Sequence, residues 1–190
     1  MSSTNRGGRR SPADNYATPA WCVERLLEAR TFPPGSWLEP AAGNGAIVTA
    51  VNRTDVDWRL WEIRSEERAR LAEASPGARV RIGDFIRANQ EGELDGQRFA
   101  VAITNPPFSL AQDFIDACLA HSDTVVMLLR LNYLASKTRF DFMSTNTPDV
   151  YVLPTRPSFS GGTTDSVEYA WFVWGRGKKR RGTLRILNLK

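Results

Sequence analysis

Histidine and cysteine are almost missing from this 190-residue chain, which has His121, Cys22 and Cys118 and no other residue of either type. That scarcity excludes a His-based catalytic triad and a zinc centre, both of which need several such side chains at defined spacing. The two cysteines lie far apart, and the expectation is a pair of buried, unreactive thiols in a reducing cytoplasm. No apolar run approaches the roughly 20 residues that span a bilayer. The opening stretch from Met1 to Arg10 is polar and basic, without the apolar core of a secretory signal. A phosphate-cradling lysine is absent, and so is the third glycine of the dinucleotide fingerprint, since Ile47 and Val48 follow Ala46. P-loop and nucleotide-dehydrogenase readings therefore fail.

What is present fits one domain. Hydrophobic residues make up 42% of the chain and charged residues 24%. A chain of this length buries roughly 70% of its unfolded surface and needs no covalent staples. The net charge of +4 favours polyanionic partners mildly. Basic residues concentrate at Arg6, Arg9 and Arg10 and again at Arg176, Lys178, Lys179, Arg180 and Arg181. Residues 1–14, rich in Ser, Gly and Arg, read as a disordered basic tail, and residues 15–190 as a single domain.

Hydrophobic patterning alternates strand and helix along most of that domain. Strands are expected at Ser36–Pro40, Asp57–Ile63, Arg79–Gly83, Phe99–Thr104, Thr124–Leu131, Val150–Leu153, Val167–Trp174 and Leu184–Leu189. Helices are expected at Ala20–Arg30, Ala46–Arg53, Ser65–Ala74, Leu110–His121 and Ser136–Thr145, the first with Thr18 as N-cap and Pro19 opening it. Nearly continuous apolar strands separated by helices predict a doubly wound α/β sheet covered on both faces. The last third lacks helices between its strands, which predicts an antiparallel hairpin closing the sheet, with Lys178–Arg181 as the turn between the last two strands.

Ligands of such sheets bind outside the carboxyl ends of the strands. The first strand runs into Leu38-Glu39-Pro40-Ala41-Ala42-Gly43-Asn44-Gly45, and two glycines there let the backbone approach a ligand closely. Glu39 would face the crevice, where a carboxylate suits an ammonium group and repels a pyrophosphate. Glu62 ends the second strand about twenty residues later, near the spacing at which an acid meets ribose hydroxyls. Ile63 offers an apolar wall, Asp84 an acceptor for an adenine amino group, and Phe85 a ring to pack on that base. Acids at three successive strand ends describe a pocket for a cationic nucleoside.

The fourth strand leads into Asn105-Pro106-Pro107-Phe108. The lone pair of a base amine is delocalised into the ring, which makes it a poor nucleophile. Two acceptors holding its two N–H bonds would draw the nitrogen toward tetrahedral geometry and release that pair. The Asn105 carboxamide and the Pro106 carbonyl can supply them, with the paired prolines fixing the backbone. Phe108 offers a flat face for the base.

This order of segments resembles the amino-methyltransferases of nucleic acids, especially the gamma-ordered DNA adenine-N6 group. Tyr16-Ala17-Thr18-Pro19 resembles their N-terminal cofactor motif, Leu38–Gly45 the main cofactor motif, Glu62 the ribose-binding acid and Asp84-Phe85 the adenine contact. Asn105–Phe108 matches their Asn/Asp-Pro-Pro-aromatic signature, so the likeness covers residues 16–108. It implies a Rossmann-like class I methyltransferase with a mostly parallel seven-stranded sheet, S-adenosylmethionine as cofactor and no metal. Cofactor contacts are implied for Tyr16, Thr18, Pro19, Glu39, Pro40, Ala41, Gly43, Asn44, Gly45, Glu62, Ile63, Asp84, Phe85 and Asn105. Catalytic roles are implied for Asn105, Pro106, Pro107 and Phe108.

Adenine N6 in DNA is the first substrate implied, with cytosine N4 open because the same two acceptors activate it. Phe159 resembles an aromatic that packs on the flipped base; Gly161 and Gly162 suggest a mobile loop beside it. Arg156, Lys137 and Arg139 are candidate backbone contacts. No element is left over to read a groove, so a short or relaxed target word, or a target-reading partner subunit, is expected. Competing readings are an RNA base amine, a protein glutamine amide and a non-catalytic subunit that keeps the fold. The glutamine reading calls for an added helical domain and the RNA reading for an appended RNA-binding domain.

Overall fold

A computed structural model describes residues 17–159, 164–176 and 182–189. The basic tail at residues 1–14, Tyr16, the Gly161-Gly162 loop and the Lys178–Arg181 turn lie outside the described residues. The strands are β1 (Gly35–Glu39), β2 (Val56–Glu62), β3 (Arg79–Ile82), β4 (Phe99–Thr104), β5 (Ser122–Arg130), β6 (Asp149–Val152), β7 (Tyr169–Gly175) and β8 (Leu184–Ile186). The helices are α1 (Ala20–Ala29), α2 (Ala46–Val51), α3 (Arg68–Ala74), α4 (Phe85–Gln90), α5 (Ala111–His121) and α6 (Phe140–Thr145).

One sheet holds all eight strands in the order β3-β2-β1-β4-β5-β7-β6-β8. The strands from β1 to β5 run parallel, and β7 inserts antiparallel between β5 and β6. The antiparallel C-terminal hairpin is therefore β6–β7. β8 lies beyond β6 and pairs parallel to it, so it is not a neighbour of β7 as the expected turn at 178–181 requires. All eight strands expected from the patterning are thus in the sheet, one more than the seven that the resemblance implies, and the last is short, Leu184–Ile186.

Period-two alternation sends successive side chains to opposite faces and builds a core on each. Trp37, Val101, Ile103 and Trp171 join α1, α2 and α3 through Cys22, Leu26, Ile47 and Leu71. Leu38, Ala102 and Phe172 join α4 and α5 through Phe85, Phe114, Ile115 and Cys118. The indole of Trp171 donates to the carbonyl of Cys22 at 2.8 Å and ties β7 to α1. Both cysteines are buried and burial pushes both thiols up, that of Cys22 to about 12.

Two helix starts differ from expectation. Pro19, not Thr18, is the N-cap of α1, and with no polar atom in its side chain it makes no side-chain cap bond. Asp84 caps α4, a helix hidden in the sequence by its six-residue length, accepting from the backbone N–H of Ile86 at 2.9 Å and of Arg87 at 3.2 Å. Because β1 to β5 are parallel, their carboxyl ends share one edge of the sheet. β7, entering from that edge, sets Tyr169 opposite Arg130.

Candidate active site

A cavity of about 410 Å³ opens at this edge, within the size range of small-ligand sites. The loop after β1 supplies Glu39, Pro40, Ala41, Gly43 and Asn44, and the end of β2 supplies Glu62, Ile63 and Arg64. Asp84 and Phe85 line it after β3, Asn105, Pro107 and Phe108 after β4, and Arg130 at the end of β5, with Thr18 closing the wall.

Glu39 is the electrostatic centre of this cavity. It is 1% exposed, and its Oε2 meets no hydrogen-bond donor among the described residues. Burial first, and the negative charge of Glu62 second, hold its carboxyl well above the usual carboxylate range. A buried acid left in that condition is poised for a cationic ligand, which restores the ionised form.

Glu62 is differently placed. Its Oε2 accepts from the Gly43 N–H at 2.7 Å, while Oε1 accepts from the backbone N–H of Arg64 at 3.0 Å and from its Nε at 2.9 Å. Arg64 also pairs with the buried Glu67 at 3.3 Å. Glu62 thus locks the glycine loop against β2, and three bonds on a carboxylate leave capacity for one more.

The two loop glycines divide their work. Gly43 lines the cavity at φ +57, and a Cβ there would meet only Arg64 at 3.9 Å, so it keeps open space. Gly45, at φ +82, does not line the cavity; a Cβ there would stand 2.8 Å from Cβ of Ala74 in α3. Its expected ligand contact is corrected to a helix-packing role.

Asn105 is half-buried in the cavity wall, and its Nδ2 donates to Thr18 Oγ1 at 3.2 Å. The hydroxyl expected to cap α1 instead orients the carboxamide. Pro107 closes the turn, its carbonyl accepting from Leu110 N–H at 2.9 Å. Pro106 is buried and does not line the cavity, unlike its neighbours on either side.

Several expected contact residues have structural partners of their own or stand outside the cavity. Phe85 touches the cavity, but its ring is core, edge-on to Trp61 at 5.8 Å and stacked on Phe114 at 5.7 Å. Asp84 spends Oδ1 on the α4 cap. Pro19 is not in the wall. Phe159 also stands off it, packing edge-on against Tyr169 at 5.0 Å. Arg156 is held by Glu168, Nε to Oε1 at 3.0 Å. Arg139 lies over the Tyr133 ring at 4.1 Å and donates to its carbonyl, while exposed Lys137 sits outside the cavity. Arg64 and Arg130 were not foreseen; their signal is position alone, each at or just past the carboxyl end of a strand.

No protein-family model and no curated protein matches the chain. Solved structures do. A predicted O-methyltransferase from Agrobacterium tumefaciens aligns over 88% of this chain and 85% of its own at 18% identity and a TM-score of 0.65. A protein assigned as an RNA methyltransferase from Pyrococcus horikoshii aligns over 90% and 93% at 15% identity and 0.65. A protein assigned as a class I S-adenosylmethionine-dependent methyltransferase from Listeria monocytogenes aligns over 88% of this chain at 13% identity and 0.59, with the chain spanning 62% of its length. At such identities the likeness establishes architecture, so the chain has the Rossmann-like fold of the class I methyltransferases.

Proposed function

We propose that this protein transfers a methyl group from S-adenosylmethionine to the exocyclic amino group of a nucleobase, adenine N6 in DNA foremost. The observation that carries the reading is the juxtaposition, in one cavity, of Glu39, whose buried Oε2 meets no donor among the described residues, and the Thr18-oriented carboxamide of Asn105.

The cavity residues fit the cofactor. Glu39 suits an ammonium group, Glu62 keeps one acceptor site beside the loop it anchors, and Gly43 keeps the backbone clear. Ile63, 63% exposed at the rim, offers an apolar wall for a purine ring. Bound there, S-adenosylmethionine supplies an electrophilic methyl group on a positively charged sulfur. The protein's part is to hold and polarise the amine. With Nδ2 donating to Thr18, Oδ1 is the carboxamide atom suited to accept one amine N–H. The carbonyl of Pro106 is assigned the second N–H, a role that needs the loop to turn this buried residue toward the acceptor. Asparagine is no base, so the proton leaves after the methyl has transferred. Tyr16 is assigned to the cofactor side on resemblance alone.

An RNA base amine is the second reading, supported by the Pyrococcus likeness. Target choice through a partner subunit, or a short target word, belongs to the same proposal; co-purification of a stoichiometric DNA-reading subunit supports the former. The deciding experiment incubates the protein with tritiated cofactor and, separately, plasmid DNA, total RNA and bulk protein. Label in DNA alone, mapped to adenine N6, supports the first reading; label in RNA alone replaces it with the second. Asn105→Ala should keep cofactor affinity and lose roughly 100- to 1,000-fold in kcat, the scale of removing one polar group from a transition-state cradle. Unchanged transfer refutes the role of Asn105.

A further inference from the structure

The acceptor side of the cavity contains a cation that the chemistry above does not use. Arg130 ends β5 in the cavity wall, and its guanidinium carbon lies 4.4 Å from the centroid of the Phe108 ring, over its face. Its Nε donates to the Tyr169 hydroxyl at 3.3 Å, and that hydroxyl donates to Asp165 Oδ2 at 2.6 Å. Burial, reinforced by the bond to Asp165, pushes the Tyr169 phenol far above its ordinary range, so it stays protonated. The Tyr169 ring meets Phe108 at 5.7 Å and 45°. Three elements therefore converge: the loop after β4, the end of β5 and the start of β7.

A planar guanidinium at stacking distance covers the surface on which a flat acceptor must lie. We propose that Arg130 is the specificity-determining residue of the acceptor side: it fills the stacking slot on Phe108 in the acceptor-free protein and yields only to an acceptor that stacks there in its place. The inference rests on the base-methylation reading. An aromatic base exchanges one stacking contact for another, and the displaced guanidinium goes to solvent. An aliphatic amide such as a glutamine side chain has no π face and leaves the slot filled. Tyr169 and Asp165 set the strength of the hold.

Two measurements test this. In ¹⁵N-labelled protein saturated with S-adenosylhomocysteine, the Nε–H resonance of Arg130, assigned through Arg130→Lys, should be moved upfield by the ring current of Phe108. Single-stranded (dA)10 should return it to the ordinary arginine range, and a glutamine-containing peptide should not. An unshifted resonance at the outset, one that stays shifted at saturating DNA, or one that the peptide moves equally overturns the proposal. In kinetics with tritiated cofactor and plasmid DNA, Arg130→Ala should lower the KM for DNA about tenfold, the size of a partly desolvated cation–π contact. Tyr169→Phe, which frees the guanidinium without removing it, should lower it severalfold; kcat should not rise and cofactor affinity should not move. A KM unchanged or raised in both variants overturns the proposal. Should no polynucleotide bind or accept methyl, the base-methylation reading falls and the selective role falls with it. An upfield Arg130 resonance in that sample then assigns the failure to the reading, not to the stacking geometry.

Discussion

Replacing Glu39 by glutamine should move stability and cofactor affinity in opposite directions. In the ligand-free protein Oε2 is buried without a donor among the described residues, and burial together with the charge of Glu62 raises the carboxyl's pKa. The native state therefore holds this proton more tightly than the unfolded chain does. Native stability falls as pH rises from the ordinary carboxylate value toward the raised one. An amide keeps the shape and removes that slope because it takes up no proton on folding; set against its own unpaired N–H groups, the net gain is about 1 kcal/mol at neutral pH. For a chain of this size that is a rise of about 2–4 °C in Tm. The same change removes the compensating charge for a cationic ligand. A charge-assisted hydrogen bond contributes about 1.5–3 kcal/mol, so S-adenosylmethionine should bind roughly 10- to 100-fold more weakly. Calorimetric titration checks both the affinity and a proton release on binding to the parent protein, which makes the parent's affinity increase with pH over that window. An equal loss for S-adenosylhomocysteine assigns Glu39 to the ammonium group, because the product keeps that group and lacks the sulfonium charge. Unchanged affinity, or a variant less stable at neutral pH, refutes the assignment of Glu39.

Thr18→Val removes the acceptor that orients Asn105; kcat should fall about tenfold with cofactor affinity unchanged, read by single-turnover transfer. Gly45→Ala puts a Cβ against Ala74 at 2.8 Å and an alanine at φ +82. It should cost about 2–4 kcal/mol in denaturant unfolding, with any loss of cofactor affinity secondary. Phe85→Ala should lose about 3–5 kcal/mol of stability, because its ring packs between Trp61 and Phe114. A purely cofactor-stacking Phe85 would instead leave the free protein's Tm unchanged.

Where sequence and structure agree, one element suffices to predict the outcome. β4 reads Phe-Ala-Val-Ala-Ile-Thr, apolar up to its last residue, and that pattern has few homes besides the middle of a sheet covered on both faces. Glu39, Glu62 and Asn105 are legible for a related reason: the carboxyl end of a parallel strand sits at the mouth of the crevice wherever the rest of the chain goes. What stays hidden depends on a second element. Asp84 lines the cavity as expected, but its second duty as the cap of α4 through Oδ1 is hidden, because six residues are too few to announce a helix by periodicity. Gly45 looks like a ligand glycine until Ala74 of α3 arrives opposite it.

Arg130 is the clearest case of this kind. Nothing local marks it, since it is the polar end of an apolar strand. Its meaning comes from Tyr169, brought opposite it by the antiparallel register of β7, and from Phe108, brought over it by the turn that Pro107 closes. Arg156 and Arg139 are engaged in the same way by residues that nothing local announces, Arg156 by Glu168 at the surface and Arg139 by the ring and carbonyl of Tyr133. Strand-end acids are readable because one strand places each of them. The wall around Phe108 is assembled from three elements, so the role proposed for Arg130 becomes readable only once the sheet has closed.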